Sequence, residues 1–175
     1  ALSLSAAALM TPATNASSAR IAGQDDYASL RERAEARCRE RSWALARDLY
    51  ARADALDLPP DEARWVDFRL ADCTWRAAAG TNQVDDTELQ AARSSLEELV
   101  RGRDRVEQRD PVWLEVQESL GDFHWLRGHD WGSAWPWYQR ALAAWSASTE
   151  IETARARYLD LVWRITEAHG YGERF

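Results

Sequence analysis

The sequence predicts an all-α domain, a solenoid-like stack of about seven antiparallel helices. Two observations carry this prediction. Apolar residues recur every three to four positions almost without interruption from residue 25 onward, which is the period of an amphipathic helix. A small-aromatic-small spacing also occurs twice, which indicates internal repeats, as Ala46, Tyr50, Ala53 and again as Ala134, Tyr138, Ala141.

Residues 110–145 are the most informative stretch and read as two helices. Asp110 and Pro111 supply an N-cap and a first-turn proline, ahead of a stripe of Trp113, Val116, Leu120 and Phe123. In the second helix Ser133 is the expected N-cap, which would place Pro136 in the first turn, where a proline costs no hydrogen bond. Its apolar stripe is too broad for a surface helix, so we expect neighbours on more than one side.

Small residues indicate how these two helices pack. Gly121 and Ala134 fit a close helix crossing, with Leu120 and Tyr138 filling the space beside them. The order Leu120-Gly121, Gly128, Ala134, Tyr138, Ala141-Leu142 resembles the tetratricopeptide repeat, a unit of about 34 residues. That resemblance implies an irregular right-handed solenoid of helix pairs. One extra residue between Gly128 and Ala134, and Pro136 itself, depart from the family pattern.

The remaining helices follow from their stripes and caps. A first helix carries Tyr27 to Cys38, and a second, capped by Ser42, ends before Pro59-Pro60. Pro60 begins a third helix with two packed faces, and a loop covers residues 80–86. Capping boxes at Thr87 with Gln90 and at Thr149 with Glu152 predict the fourth and seventh helices, the seventh spanning 151–165.

The chain divides into three segments. Residues 1–24 are apolar, then small and polar, and read as a signal-peptide remnant or a disordered tail, while 25–168 form the helical-repeat domain and 169–175 a C-terminal tail. No stretch has the roughly 18 to 20 apolar residues of a membrane span. The net charge of −7, with dispersed arginines, argues against a nucleic-acid partner. The helical-repeat pattern predicts instead a protein or peptide partner, or another domain of a larger polypeptide.

A second resemblance lies in residues 64–72, RWVDFRLAD, and in 116–123 together with 131–138. These segments are similar to the N-terminal helical region of large bacterial alpha-2-macroglobulin-like proteins. The similarity would cover roughly residues 28 to 164. The resemblance implies an exported protein, periplasmic or extracellular, related to protease-trapping proteins. The family's thioester motif Cys-Gly-Glu-Gln is absent from this sequence.

Few residues carry side chains in a pattern that indicates catalysis or metal binding. His124, His129 and His169 have no metal-ligand spacing around them, and the sequence contains no lysine, no Gly-rich phosphate loop and no GxSxG motif. We therefore predict no catalytic residue, no cofactor and no metal site. Cys38 and Cys73 lie on apolar helix faces, where two buried free thiols or one disulfide are both possible.

The sequence thus predicts a non-catalytic module for protein-protein or interdomain contacts. By the tetratricopeptide resemblance, the first helix of each pair lines the concave face, which places Glu118, Asp122 and Trp125 at the binding positions and predicts a partner with basic or aromatic groups. A small helical enzyme, marked by His124 beside a carboxylate in a cleft, and a structural spacer are the alternatives. Leu159 and Trp163 are expected to be uncovered on the last helix, unless Tyr171 and Phe175 cap them.

Overall fold

A computed structural model describes residues 26–79, 86–103, 105–148, 152 and 154–172. Within these ranges the chain is all-α, as predicted, and contains no strand. The helices are α1 (Tyr27–Arg39), α2 (Trp43–Asp54), α3 (Pro60–Ala79), α4 (Asp86–Val100), α5 (Pro111–Gly128), α6 (Trp131–Ala147) and α7 (Arg155–Gly172), with a 3-10 turn at Val106–Gln108. None of the described helices combines the length and the apolarity needed to cross a bilayer.

Helix starts are fixed by short acidic side chains. Asp110 accepts a hydrogen bond from the backbone N of Trp113 at 2.6 Å and precedes Pro111, which confirms the predicted cap and first-turn proline of α5. Asp26 caps α1 in the same way, by accepting from the N of Ser29 at 2.8 Å.

The start of α6 differs from the prediction. Asp130, not Ser133, is the N-cap, and its carboxylate accepts from the backbone N of Ser133 at 3.0 Å. Both side chains can cap a helix, but capping at the earlier aspartate adds helical residues before Ala134. Pro136 therefore lies inside the helix, beyond its first turn, where it removes one backbone hydrogen bond.

Two other helix ends also differ. The fourth helix begins at Asp86, so Thr87 lies within its first turn instead of capping it. The last helix begins at Arg155, later than the predicted residue 151, and Thr149 lies outside the described residues. It then continues to Gly172, into the stretch expected to be a tail, because its final turns are packed: Ala168 is fully buried and the His169 ring meets the Trp131 ring edge-on at 5.5 Å.

Each helix packs against the next one in the chain, and α3 also touches α5. Three apolar clusters result, one among α1, α2 and α3, one among α3, α4 and α5, and one among α5, α6 and α7. Both α3 and α6 are covered by more than one neighbour, as their broad stripes predicted.

Helices α5 and α6 approach each other closely at Gly121. A Cβ atom on Gly121 would lie 2.5 Å from the ring of Tyr138, which is 1% exposed, and Ala134 and Ala141 are fully buried beside it. The Tyr138 ring thus fills the space beside Gly121, as predicted. Most tryptophans are buried or half-buried, and the exception is Trp163, at 68% exposed on α7 together with Leu159 at 55%. The predicted caps for them, the side chains of Tyr171 and Phe175, lie outside the described residues.

Candidate binding groove

The odd-numbered helices line a groove with a volume of about 770 Å³. Each of α1, α3, α5 and α7 presents one face to it, and Arg41 and Trp43 border it from the turn before α2 and the start of α2. The groove-lining residues of these four helices are mainly charged: Glu35, Arg39, Arg69, Asp72, Arg76, Glu115, Glu118, Asp122, Asp160, Arg164 and Glu167. We call this surface the odd-helix groove.

An ion pair joins α1 to α3 at one side of the groove. Arg69 donates to both carboxylate oxygens of Glu35, at 3.0 and 2.9 Å, and its guanidinium lies 4.7 Å from the ring centre of Trp65. The hydroxyl of Tyr50, on α2, donates to the same carboxylate. Glu35 is therefore held by groups from two other helices.

Arg76 joins α3 to α5 in the middle of the groove. It donates to Asp72 and to Asp122, both at 2.8 Å, and lies 4.4 Å from the ring centre of Trp75. Burial alone lowers the pKa of Arg76, but the two carboxylates raise it above its ordinary value, so the guanidinium stays charged. Ser119 donates to Asp72 at 2.6 Å and completes this buried cluster.

Two arginines of α7 close the chain of ion pairs. Arg164 donates to Asp122 and to Glu118, both at 2.7 Å, and Arg157 bonds Glu118 at 3.3 Å and also Glu115. Burial raises the pKa of Asp122, but Arg76 and Arg164 outweigh it and hold that pKa below its ordinary value. Because Arg69 also lies 3.8 Å from Asp72, a continuous ion-pair chain runs along the groove floor from α1 to α7.

The same local arrangement of residues recurs along the chain. On three helices the carboxylate that lines the groove directly follows a buried small residue. The pairs are Ala34-Glu35, Ala71-Asp72 and Gly121-Asp122. On the first and the third, a tyrosine of the next helix donates to that carboxylate, Tyr50 to Glu35 and Tyr138 to Asp122. The two tyrosines are the ones that the sequence repeat had matched, so the repeat is also one of hydrogen bonding.

Two of the three predicted site residues lie in the groove, but not as free ligand contacts. Glu118 and Asp122 line it at 5% and 3% exposure, and both are neutralised by arginines of the same chain. A basic partner thus finds their charge already compensated. The two carboxylates therefore carry no free charge with which to attract basic groups of a partner.

The structure does not place Trp125, the third predicted residue, among the groove-lining residues. Its ring is half-buried and meets the rings of His129 at 5.4 Å and Trp131 at 6.4 Å, while the next residue, Leu126, lines the groove instead. At about 100° per residue, Trp125 points roughly 75° from the mean direction of the groove-lining residues of α5. Of the three predicted residues, Glu118 and Asp122 therefore line the odd-helix groove and Trp125 does not.

Sequence reasoning missed the groups that the groove does leave available. Arg39 and Arg41 are exposed and have no ion-pair partner among the described residues. Toward α7, Trp163 and Leu126 are 68% and 53% exposed, and Glu167 is exposed with no ion-pair partner in the described part of the chain. No sequence signal separated these arginines from the paired ones, because ion pairing depends on residues distant in the chain.

The side chains that would indicate catalysis, metal binding or a disulfide are located as follows. His124 is half-buried, burial lowers its pKa, and it does not line the odd-helix groove. The described residues contain no group of three potential metal ligands. Cys38 and Cys73 are free thiols, both buried.

Comparisons with protein-family models, curated proteins and solved structures find no match to this chain.

Proposed function

We propose that this chain is a helical-repeat module that binds a protein segment in the odd-helix groove, its helices forming an irregular tetratricopeptide-like, right-handed solenoid. The segment belongs to a partner protein or to another domain of a larger polypeptide. The observation that carries the proposal is the contrast within one groove: its floor is internally ion-paired, while arginines, a tryptophan and a glutamate around it are unpaired or exposed.

The paired floor supports binding because it is already ordered. Its arginines and carboxylates are tied to each other and to tyrosine, serine and tryptophan donors from several helices. A ligand then pays little for ordering the groove, and a preorganised surface binds more tightly for the same contacts. The floor thus acts as a scaffold and leaves recognition to the groups that remain free.

Those free groups define the ligand. Arg39 and Arg41 suit a carboxylate, whereas Trp163 and Leu126 suit an apolar side chain and Glu167 suits a basic one. We infer a segment that is acidic where it meets α1 and apolar and basic where it meets α7. This polarity revises the expectation of a partner that is only basic or aromatic.

The experiment selects peptides from a random display library on the full chain and measures their affinity by fluorescence anisotropy. Trp163→Ser and Arg41→Glu should each weaken the selected peptides at least tenfold, and the Arg41 contribution should shrink with added salt. Arg105→Glu is the matched control, since Arg105 is exposed outside the groove and should bind as the wild type does. Equal affinities in all four proteins would refute groove binding.

The absence of a catalytic role, an exported location and kinship with alpha-2-macroglobulin-like proteins stay predictions from the sequence. A structural spacer is distinguished by the same experiment, because a spacer selects no peptide whose binding depends on Trp163. A helical enzyme would be detected as turnover that His124→Ala abolishes.

A further inference from the structure

The two cysteines of the chain meet between α1 and α3. The Sγ atoms of Cys38 and Cys73 lie 3.7 Å apart, although 35 positions separate the residues in sequence. Cys38 lines the odd-helix groove at 9% exposure, whereas Cys73 is fully buried behind it. Their environments are therefore unequal: one thiol borders solvent and the other does not.

We propose that Cys38 and Cys73 form a thiol-disulfide exchange site, in which Cys38 reacts first with a small-molecule disulfide and Cys73 then closes an intramolecular disulfide. A disulfide needs an Sγ–Sγ distance of about 2.05 Å, so the two sulfurs must approach by roughly 1.7 Å. Side-chain rotation in two adjacent helices can supply a movement of this size. This proposal does not depend on what the groove binds.

The order of reaction follows from access and acidity. The hydrogen bond from Cys73 lowers the pKa of Cys38 and raises that of Cys73, and burial adds to the rise at Cys73. Of the nearby charges, Arg69 lowers both pKa values, while Asp72 raises both and Glu35 raises that of Cys38. The thiolate, which is the nucleophile, therefore forms more readily at the groove-lining sulfur.

The exchange is balanced without any further reactant. The Cys38 thiolate attacks one sulfur of glutathione disulfide, forming a mixed disulfide and releasing one glutathione thiolate, which takes up the proton that Cys38 lost. The Cys73 sulfur then attacks Cys38 Sγ, and its proton goes to the second departing glutathione. Two protein thiols are oxidised and one glutathione disulfide is reduced to two glutathione molecules.

The product would link α1 covalently to α3, beside the Glu35–Arg69 ion pair. Because the link closes a loop of 36 residues counted from Cys38 to Cys73, it restricts the unfolded chain. We expect the thermal midpoint of the full chain to rise by roughly 5 to 10 °C on oxidation.

The test exposes the folded full chain to excess glutathione disulfide and maps the products by mass spectrometry. The wild type should lose about 2 Da and yield a Cys38–Cys73 cross-linked peptide. Cys73→Ala should stop at one glutathione on Cys38, and Cys38→Ala should take up none. A wild type that remains a dithiol, or glutathione uptake by Cys38→Ala as fast as by Cys73→Ala, would overturn the proposal.

Circular dichroism shows whether both variants keep their helices. Should either variant unfold, the order is read from the wild type alone, by timed alkylation of the reduced native chain with iodoacetamide. Cys38 must then be labelled well before Cys73. Equal labelling rates would contradict a site with one accessible and one resolving thiol.

Discussion

Replacing Gly121 with alanine tests the close contact between α5 and α6. The added Cβ would lie 2.5 Å from two carbons of the Tyr138 ring, where ordinary contact begins near 3.4 Å. The ring cannot swing aside, because it is 1% exposed and its hydroxyl donates to Asp122 at 2.7 Å. Atoms in the contact between α5 and α6 must therefore move by almost 1 Å to accommodate the Cβ.

Two opposing effects set the magnitude for Gly121→Ala. Alanine inside a helix gains about 1 kcal/mol over glycine. Overpacking costs about 1 to 3 kcal/mol, and a contact held on both sides belongs at the upper limit. We expect a net loss of about 2 kcal/mol, or a thermal midpoint lower by roughly 4 to 8 °C for a chain of this size.

Urea and thermal unfolding followed by circular dichroism measure this loss. Gly170→Ala is the matched control, since a Cβ there meets nothing within 4 Å, and it should keep or raise the midpoint. In a Tyr138→Leu background the cost of Gly121→Ala should shrink or reverse, which a double-mutant cycle detects. A Gly121→Ala midpoint at or above that of the wild type would refute the close contact.

Two further predictions concern the same end of the fold. Ala141→Trp should lower the midpoint strongly, since Ala141 is fully buried and overpacking costs about 1 to 3 kcal/mol or more; an unchanged midpoint would contradict its position. Because the pKa of Asp122 is lowered by folding, its contribution to stability is present at neutral pH and lost as pH falls below about 4. In urea unfolding at pH 7, Asp122→Asn should lower the free energy of unfolding by about 3 kcal/mol, since Arg76 and Arg164 lose their shared partner. Between pH 7 and pH 3 the variant should lose less of this free energy than the wild type does.

Much of the secondary structure was predictable because its causes are local. The cap at Asp110 and the proline after it act within four residues, and the stripe that follows them defines one helix face. The errors occurred where two local signals compete or where packing decides. Asp130 and Ser133 are both good caps, and the last turns of α7 contain two glycines yet remain helical because Ala168 and His169 are packed.

The candidate site was predictable in part for the same reason. Helical periodicity placed Glu118 and Asp122 on the face of α5 that lines the groove, but it could not place the edge of that face, so Trp125 was assigned to it in place of Leu126. Nor did the sequence distinguish a paired carboxylate from a free one. The sequence shows the arginines only as dispersed, whereas in the structure Arg76 and Arg164 neutralise the groove floor.

Periodicity, capping and side-chain size act over one or two helices, so the all-α class, most helix positions and the packing of Tyr138 beside Gly121 were predictable from the amino-acid sequence. Charge pairing depends on the three-dimensional fold, since Glu35 with Arg69 and Asp122 with Arg164 are 34 and 42 positions apart. The same holds for the 3.7 Å approach of Cys38 to Cys73. With 29 acidic and 22 basic side chains available, composition permits many pairings, and the stacking of α1, α3, α5 and α7 selects one because a buried charge is tolerated only beside its partner.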